Sequence, residues 1–134
     1  MKKTVIFFFC LIFSFGLCAC GGDISDVKTH EVPSEIYTQA DINTAIKKIT
    51  REFARNWRSC ALTEICYAGD EETKAHRDWA DRNHADEVIV LTSSFDVDSS
   101  GGDGSLNPNS TYENWQWILV RTAGGQWRHV DHGY

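Results

Sequence analysis

The residues best suited to acid–base chemistry lie near the C-terminus, in the sequence WRHVDH at positions 127–132. If this stretch is a strand, alternate side chains share a face, and His129 and Asp131 lie about 6.6 Å apart along one side. A carboxylate beside an imidazole fixes its tautomer, as a general base requires. His132 is expected on the opposite face, so the sequence argues against a zinc site built from His129 and His132.

A face rich in tryptophan adjoins these residues if the chain turns through a three-residue loop at 123–125. That register places on one face Trp115, Trp117, Leu119, Arg121, Trp127, His129 and Asp131. Apolar rings with a few polar groups are typical of small-molecule sites. The ligand-binding candidates are therefore Trp115, Trp117, Arg121, Trp127 and His129, and the weak catalytic candidates are His129 and Asp131. The alternative, which is favoured over catalysis, is that the tryptophans form the core. A two-residue turn would reverse the facing.

An acidic, glycine-rich loop follows at positions 96–107. Aligned with a twelve-residue calcium loop, its positions 1, 3, 5 and 6 are Asp96, Asp98, Ser100 and Gly101. Asn107 stands at position 12 instead of a bidentate glutamate, and the loop joins two predicted strands instead of two helices. We therefore expect a hairpin loop, with no metal, and Asp96, Asp98 and Ser100 as weak calcium candidates.

Two cysteines, Cys60 and Cys66, belong to the domain itself. If residues 62–67 are a strand, their Cα atoms lie up to ~20 Å apart, against the 4.4–6.8 Å of a disulfide. Strand and bridge are thus exclusive alternatives, and we predict the strand. The chain has no P-loop, Gly-x-Ser-x-Gly, His-Glu-x-x-His or Rossmann pattern. We expect no enzyme and no cofactor.

The N-terminus, MKKTVIFFFCLIFSFGLCAC, has the form of a signal peptide. Its apolar run at 4–15 spans only about 18 Å as a helix, short of the ~30 Å hydrocarbon core. The ending Leu17, Cys18, Ala19, Cys20 resembles the lipobox of bacterial lipoproteins. By that resemblance Cys20 carries a diacylglyceryl group, and the protein is extracytoplasmic and anchored to the cell membrane by its N-terminal lipid. An ordinary secretory signal is the alternative.

The net charge of the chain limits its possible partners, and its composition divides it into three parts. The 13 basic residues are outnumbered by 19 acidic ones, giving a net charge of −6, so a nucleic-acid partner is not expected. Residues 1–19 are the predicted signal peptide, residues 20–36 the lipidated cysteine and a flexible polar tether, and residues 37–134 a single domain.

The hydrophobic pattern of the domain predicts an α+β fold. Apolar residues recur at helical spacing over positions 38–57: Ile42, Ala45, Ile46, Ile49 and Phe53. A second helix is predicted at 70–82, and strands at 62–67, 87–95, 111–122 and 126–131. The run at 88–91, Val-Ile-Val-Leu, indicates burial on both faces. The predicted order is α-β-α-β-β-β, with the long N-terminal helix packed on a curved antiparallel sheet of about four strands.

Several motifs resemble a family of small Gram-positive lipoproteins of unknown function: SLNPNSTYENWQWILVR at 105–121, GQW at 125–127, DHGY at 131–134, YTQADI at 37–42 and CALTEI at 60–65. The resemblance implies a cystatin-like or nuclear-transport-factor-like fold and brings no known activity. We expect a non-catalytic module that binds a peptide, glycan or protein partner. The alternatives are a small cavity enzyme using a His-Asp pair and a protective or inhibitory envelope protein.

Overall fold

The computed structural model describes residues 21–102 and 104–134. The elements along the chain are α1 (Gln39–Asn56), β1 (Cys60–Tyr67), α2 (Asp70–Ala75), α3 (Asp78–Arg82), β2 (Glu87–Val97), β3 (Thr111–Arg121) and β4 (Arg128–Gly133). The predicted signal peptide and Cys20 lie outside the described residues. Within the described ranges, no helix has the length and apolar character needed to cross a membrane.

Helix α1 begins at a reciprocal cap. The Thr38 hydroxyl accepts a hydrogen bond from the Asp41 amide, and the Asp41 carboxylate accepts one from the Thr38 amide. The predicted apolar stripe is buried at Ile42, Ala45, Ile49 and Phe53, while Ile46 is half-buried. Burial of this stripe holds the helix on the sheet, as the sequence predicted.

The four strands form one antiparallel sheet in the order β1-β2-β3-β4. Strand β2 is buried on both faces, as the run at 88–91 predicted. Ile89 and Leu91 pack in the core beneath α1, whereas Val88 and Val90 belong to a second cluster with Ala80 of α3. The long helix therefore covers one face of the sheet, and the other face carries the short helices.

The helix predicted at 70–82 is interrupted, and α2 and α3 replace it. The His76 ring nitrogen Nδ1 lies 2.8 Å from the Glu72 carbonyl oxygen, to which the backbone amide of residue 76 would donate in a continuous helix. That amide donates instead to the carbonyl of Thr73, at 3.1 Å. A side chain thus competes with the backbone for the carbonyl, and helical spacing alone does not reveal this.

The segment at 21–35, for which the sequence predicted a flexible tether, lies along the edge of β1. The Asp23 amide donates to the carbonyl of Cys60, and the Lys28 amide donates to that of Thr63, at 2.8 and 3.0 Å. Ile24, Val27 and Val32 pack against the core. An edge strand has unpaired backbone N–H and C=O groups, and this segment bonds to them and covers apolar surface of the core. It therefore docks on β1 although it is polar and shows no periodicity.

Strand β1 contains both domain cysteines, which are buried and not joined in a disulfide. Cys60 packs in the core beneath α1, together with Leu62 and Ile65. Because side chains alternate along a strand, Cys66 points to the opposite face from Ile65. The strand, and not a bridge between the cysteines, is the conformation present.

Candidate ligand-binding site

One extra residue in β4 determines which side chains face helix α1. His129 pairs with Leu119, but Asp131 pairs with Ile118 and His132 with Trp117, so Val130 bulges out of the ladder. The register before the bulge follows the prediction. Beyond it the facing is reversed: His132 joins the face of Trp117, and Asp131 lies on the other face. The predicted His129–Asp131 pair is therefore not formed, and the expectation that His132 points away from His129 is wrong.

Helix α1 supplies the carboxylate that the sequence assigned to Asp131. Glu52 Oε2 lies 2.7 Å from His129 Nδ1, and His129 Nε2 lies 3.2 Å from His132 Nδ1. Because a carboxylate only accepts, His129 donates from Nδ1; in the neutral form of this ring, Nε2 accepts and His132 donates from its Nδ1. The Nε2 atom of His132 is left as an acceptor at the end of this chain.

The environment of this chain keeps His132 neutral. Its ring is partly screened from water between Trp57 and Trp115, although the residue as a whole is exposed. That screening, followed by the neighbouring His129, lowers the pKa of His132 below its ordinary value. Asp131 and Glu52 act in the opposite direction and are outweighed. At neutral pH the ring therefore offers a lone pair and no charge.

Aromatic rings form a continuous wall around His132. Trp57, at the end of α1, makes edge contacts with Trp115 and Trp117, with centroids 5.9 and 5.1 Å apart. The His132 ring lies at 26° to that of Trp115, with centroids 5.9 Å apart. Trp117 is fully buried, and its Nε1 donates to Ser93 Oγ at 2.7 Å. Trp115 is half-buried and marks the end of the core that remains open.

A cavity of about 300 Å³ opens at this end of the core. Its wall includes Trp57, Arg58, Cys60, Leu106, Trp115 and His132. The Trp115 Nε1 atom is buried and has no hydrogen-bond partner among the residues that the structure describes. Since buried polar atoms nearly always have a partner, this unpaired N–H is an unusual feature of a side chain that lines the cavity. Neither Trp57 nor Arg58 was a candidate from the sequence, because only the tertiary fold brings the end of α1 to β3.

The remaining predicted ligand residues lie at the opposite end of α1. Arg121 is paired with Glu87 and Asp41, with nitrogen–oxygen distances of 2.5 and 3.2 Å. Its guanidinium carbon lies 4.2 Å from the ring centroid of Trp127, whose Nε1 donates to the carbonyl of Asp41. Trp127 is buried, and its N–H and the Arg121 charge are satisfied within the fold. The structure thus divides the predicted patch between the two ends of α1, and at this end Arg121 and Trp127 line a second cavity of about 440 Å³.

The calcium candidates have partners within the loop and its strands. Asp98 accepts hydrogen bonds from the amide and hydroxyl of Ser100, at 2.8 and 2.6 Å, and Asp96 accepts one from Thr111. Gly101 has a φ of +73°, and a Cβ there would lie 2.7 Å from the Leu106 carbonyl oxygen. The turn itself therefore explains the glycine. The position of Asp103 lies outside the described residues.

Possible metal ligands come together elsewhere on the chain. Within the described residues, one set of at least three His, Cys, Asp or Glu side chains has donor atoms that all lie within 4.8 Å of one another: His30, Glu64 and Cys66. None of the three was a candidate from the sequence, because His30 belongs to the segment predicted to be a tether.

Comparison of the chain with protein-family models, with curated proteins and with solved structures finds no match.

Proposed function

We propose that this chain is an extracytoplasmic lipoprotein, anchored through Cys20, that binds a ligand non-covalently in the cavity beside Trp115. One observation carries the binding proposal: Trp115 lines an open aromatic cavity, and its N–H is buried and has no partner in the described structure. A fold gains nothing by burying an unpaired donor, which costs about 1–3 kcal/mol. A ligand oxygen at this position repays the cost.

The lining of the cavity defines the chemistry of the ligand. Trp57 and Trp115 offer ring surface, on which a sugar ring, an aromatic ring or an apolar side chain packs. Trp115 donates a hydrogen bond, Arg58 adds a positive charge, and neutral His132 accepts from a ligand hydroxyl or amide. We infer a ligand with one flat apolar face and at least one acceptor oxygen, and the terminal residue of a peptide or glycan has this form. A volume of about 300 Å³ lies at the lower end of small-molecule sites.

The anchoring proposal rests on the sequence of the N-terminus. Lys2 and Lys3 precede an apolar run, and Leu17 stands three residues before Cys20. Two acyl chains on one cysteine anchor a protein stably, since each buried CH₂ contributes about 0.8 kcal/mol. An anchored binding domain needs no catalytic constellation. The predicted pair of His129 and Asp131 is not formed, and His129 is paired with Glu52 instead.

We also propose that the domain belongs to the cystatin-like or nuclear-transport-factor-like folds. The support is one long helix on a four-stranded antiparallel sheet whose strands follow one another in order. A bulge in each of the three strand pairs favours a bent sheet. Such bending leaves space beside the end of a covering helix, and the cavity lies at that end of α1.

Purification of the chain from its own cell envelope, followed by native mass spectrometry, tests the binding proposal. We expect a reproducible bound mass on the wild type that is lost or strongly reduced in Trp115→Phe, which removes the N–H and keeps an aromatic ring. Trp79→Phe is the matched control, because Trp79 lies on the other face of the sheet. An equal bound mass on wild type and Trp115→Phe would rule out the cavity as the binding site.

A further inference from the structure

Backbone pairing brings His30 beside β1. Lys28 pairs in parallel with Glu64: its amide donates to the Thr63 carbonyl, and its carbonyl accepts from the Ile65 amide, both at 3.0 Å. In a parallel pair the residues two further along each chain are again neighbours on the same face. His30 therefore lies beside Cys66, on the same face of the strand as Cys66 and Glu64. The three side chains meet because of this register.

The donor set suits a borderline-soft divalent cation. One imidazole nitrogen, one carboxylate oxygen and one sulfur lie within 4.8 Å of one another. Tetrahedral zinc, with bonds of about 2.0–2.3 Å, requires donor separations of roughly 3.3–3.8 Å. His30 and Glu64 are exposed, so their side chains are free to turn inward and shorten the donor separations to those of a zinc site. Cys66 is buried and is held in the strand.

The buried Cys66 thiol lies next to the Glu64 carboxylate. Burial and then the neighbouring Glu64 raise the pKa of the Cys66 thiol. A carboxylate next to a buried thiol thus destabilises the thiolate. A bound divalent cation reverses both effects, because it supplies positive charge to the sulfur and to the carboxylate at once.

The geometry points to a metal site in which His30, Glu64 and Cys66 bind one zinc-class ion, with water as the fourth ligand. On binding, the Cys66 thiol releases its proton to solvent, and the thiolate sulfur donates to the ion. His30 belongs to the segment at 21–35, whereas Glu64 and Cys66 belong to β1. The ion therefore fastens this segment to the outer edge of the sheet, where an open β-strand edge would otherwise pair with another chain.

Cobalt(II) is the probe that tests this site, since it takes the place of zinc and its absorption reports a bound thiolate. The full-length chain, purified in detergent and stripped of metal, is titrated with Co²⁺ and then with Zn²⁺. We expect a thiolate charge-transfer band that saturates at one Co²⁺ per chain and disappears when Zn²⁺ is added. Zinc should also raise the thermal unfolding midpoint, since it binds the folded state.

Variants of the three ligands separate this site from the other thiols of the chain. Cys66→Ser should abolish the band, and His30→Ala and Glu64→Gln should weaken Co²⁺ binding by at least about tenfold. His30 is exposed, so His30→Ala leaves the fold intact even if Cys66→Ser does not. Cys60→Ser and His84→Asn are the matched controls and should bind as the wild type does. Asparagine suits position 84, where φ is +53°.

Two results would overturn the metal site. One is a wild-type chain, folded by circular dichroism, that shows no saturable band. The other is a band that survives in both Cys66→Ser and His30→Ala, which would assign the cobalt to cysteines elsewhere in the chain.

Discussion

His132 Nδ1 lies 3.2 Å from His129 Nε2, and the two rings share a face of the sheet because Val130 is an extra residue in β4. Without the bulge, residues 129 and 132 would face opposite sides. The bulge therefore connects Glu52 of helix α1, through His129, to a ring in the cavity wall. This connection gives the open end of the core a polar group of defined tautomer among its aromatic rings.

The two neighbouring tryptophans of β3 should respond differently to the same substitution. Trp117→Phe removes the buried hydrogen bond from Nε1 to Ser93, so it should lower the free energy of unfolding by about 1–3 kcal/mol. Trp115→Phe removes a donor without a partner in the described structure, so it should cost about 1 kcal/mol or less. Urea denaturation of the two variants measures the difference. Equal losses would mean that Trp115 Nε1 is hydrogen-bonded within the folded chain.

The apolar stripe of α1 gives a second matched pair. Ile49 is fully buried, and Ile49→Ala should cost about 2–5 kcal/mol. Ile46 packs at the border of the core and is half-buried, so Ile46→Ala should cost clearly less. The comparison uses the same change of side chain on the same helix. An unchanged denaturation midpoint in Ile49→Ala would show that the helix does not pack on the sheet through this stripe.

His132 should make stability depend on pH. Its pKa in the folded chain lies below the ordinary value of 6.5, so the unfolded chain binds a proton more readily. The resulting stabilisation is present above about pH 6.5 and is lost as the pH falls through the folded pKa. The difference in unfolding free energy between the wild type and His132→Gln isolates this contribution from the other histidines. A difference that stays constant between pH 8 and the acid limit of folding would contradict the assigned pKa direction.

The anchor makes a prediction about mass and partitioning. Under the proposed anchoring, the intact mass of the protein from membranes should equal residues 20–134 plus a diacylglyceryl group on the Cys20 sulfur. Cys20→Ser should leave the detergent phase, whereas Cys18→Ser should remain in it. A Cys20→Ser protein that keeps the same lipid mass would refute Cys20 as the attachment site, and an unlipidated wild type would favour an ordinary secretory signal.

Regular periodicity allowed the helix and the sheet to be predicted from the sequence. The stripe from Ile42 to Phe53 and the run at 88–91 are set by burial, which leaves a periodic trace in residue type. The bulge at Val130 leaves no such trace, since valine suits a regular strand equally well. It reversed the facing of Asp131 and His132. The predicted acid–base pair of His129 and Asp131 is therefore not formed.

The other features that were not predicted from the sequence are contacts between residues that lie far apart along the chain. Glu52 falls on the polar side of α1 in a helical pattern, and its partner His129 lies 77 positions further along. The segment at 21–35 is polar overall, so its docking depends on the few apolar contacts of Ile24, Val27 and Val32. Sequence patterning describes single elements, whereas these contacts are formed between elements.

The indole N–H signals of the chain test the central proposal, ligand binding in the cavity beside Trp115, most directly. The ¹⁵N-labelled full-length protein, freed of bound material, is titrated with the small-molecule and oligomer fraction of its own cell envelope, and each of the five tryptophan N–H resonances is followed. The account predicts a saturable shift of Trp115 and little change of Trp117 and Trp127, whose N–H groups are already bonded within the fold. Trp79, on the opposite face of the sheet, should not move. A Trp115 resonance that stays fixed throughout the titration, or that moves no more than that of Trp79, would contradict a ligand site in this cavity.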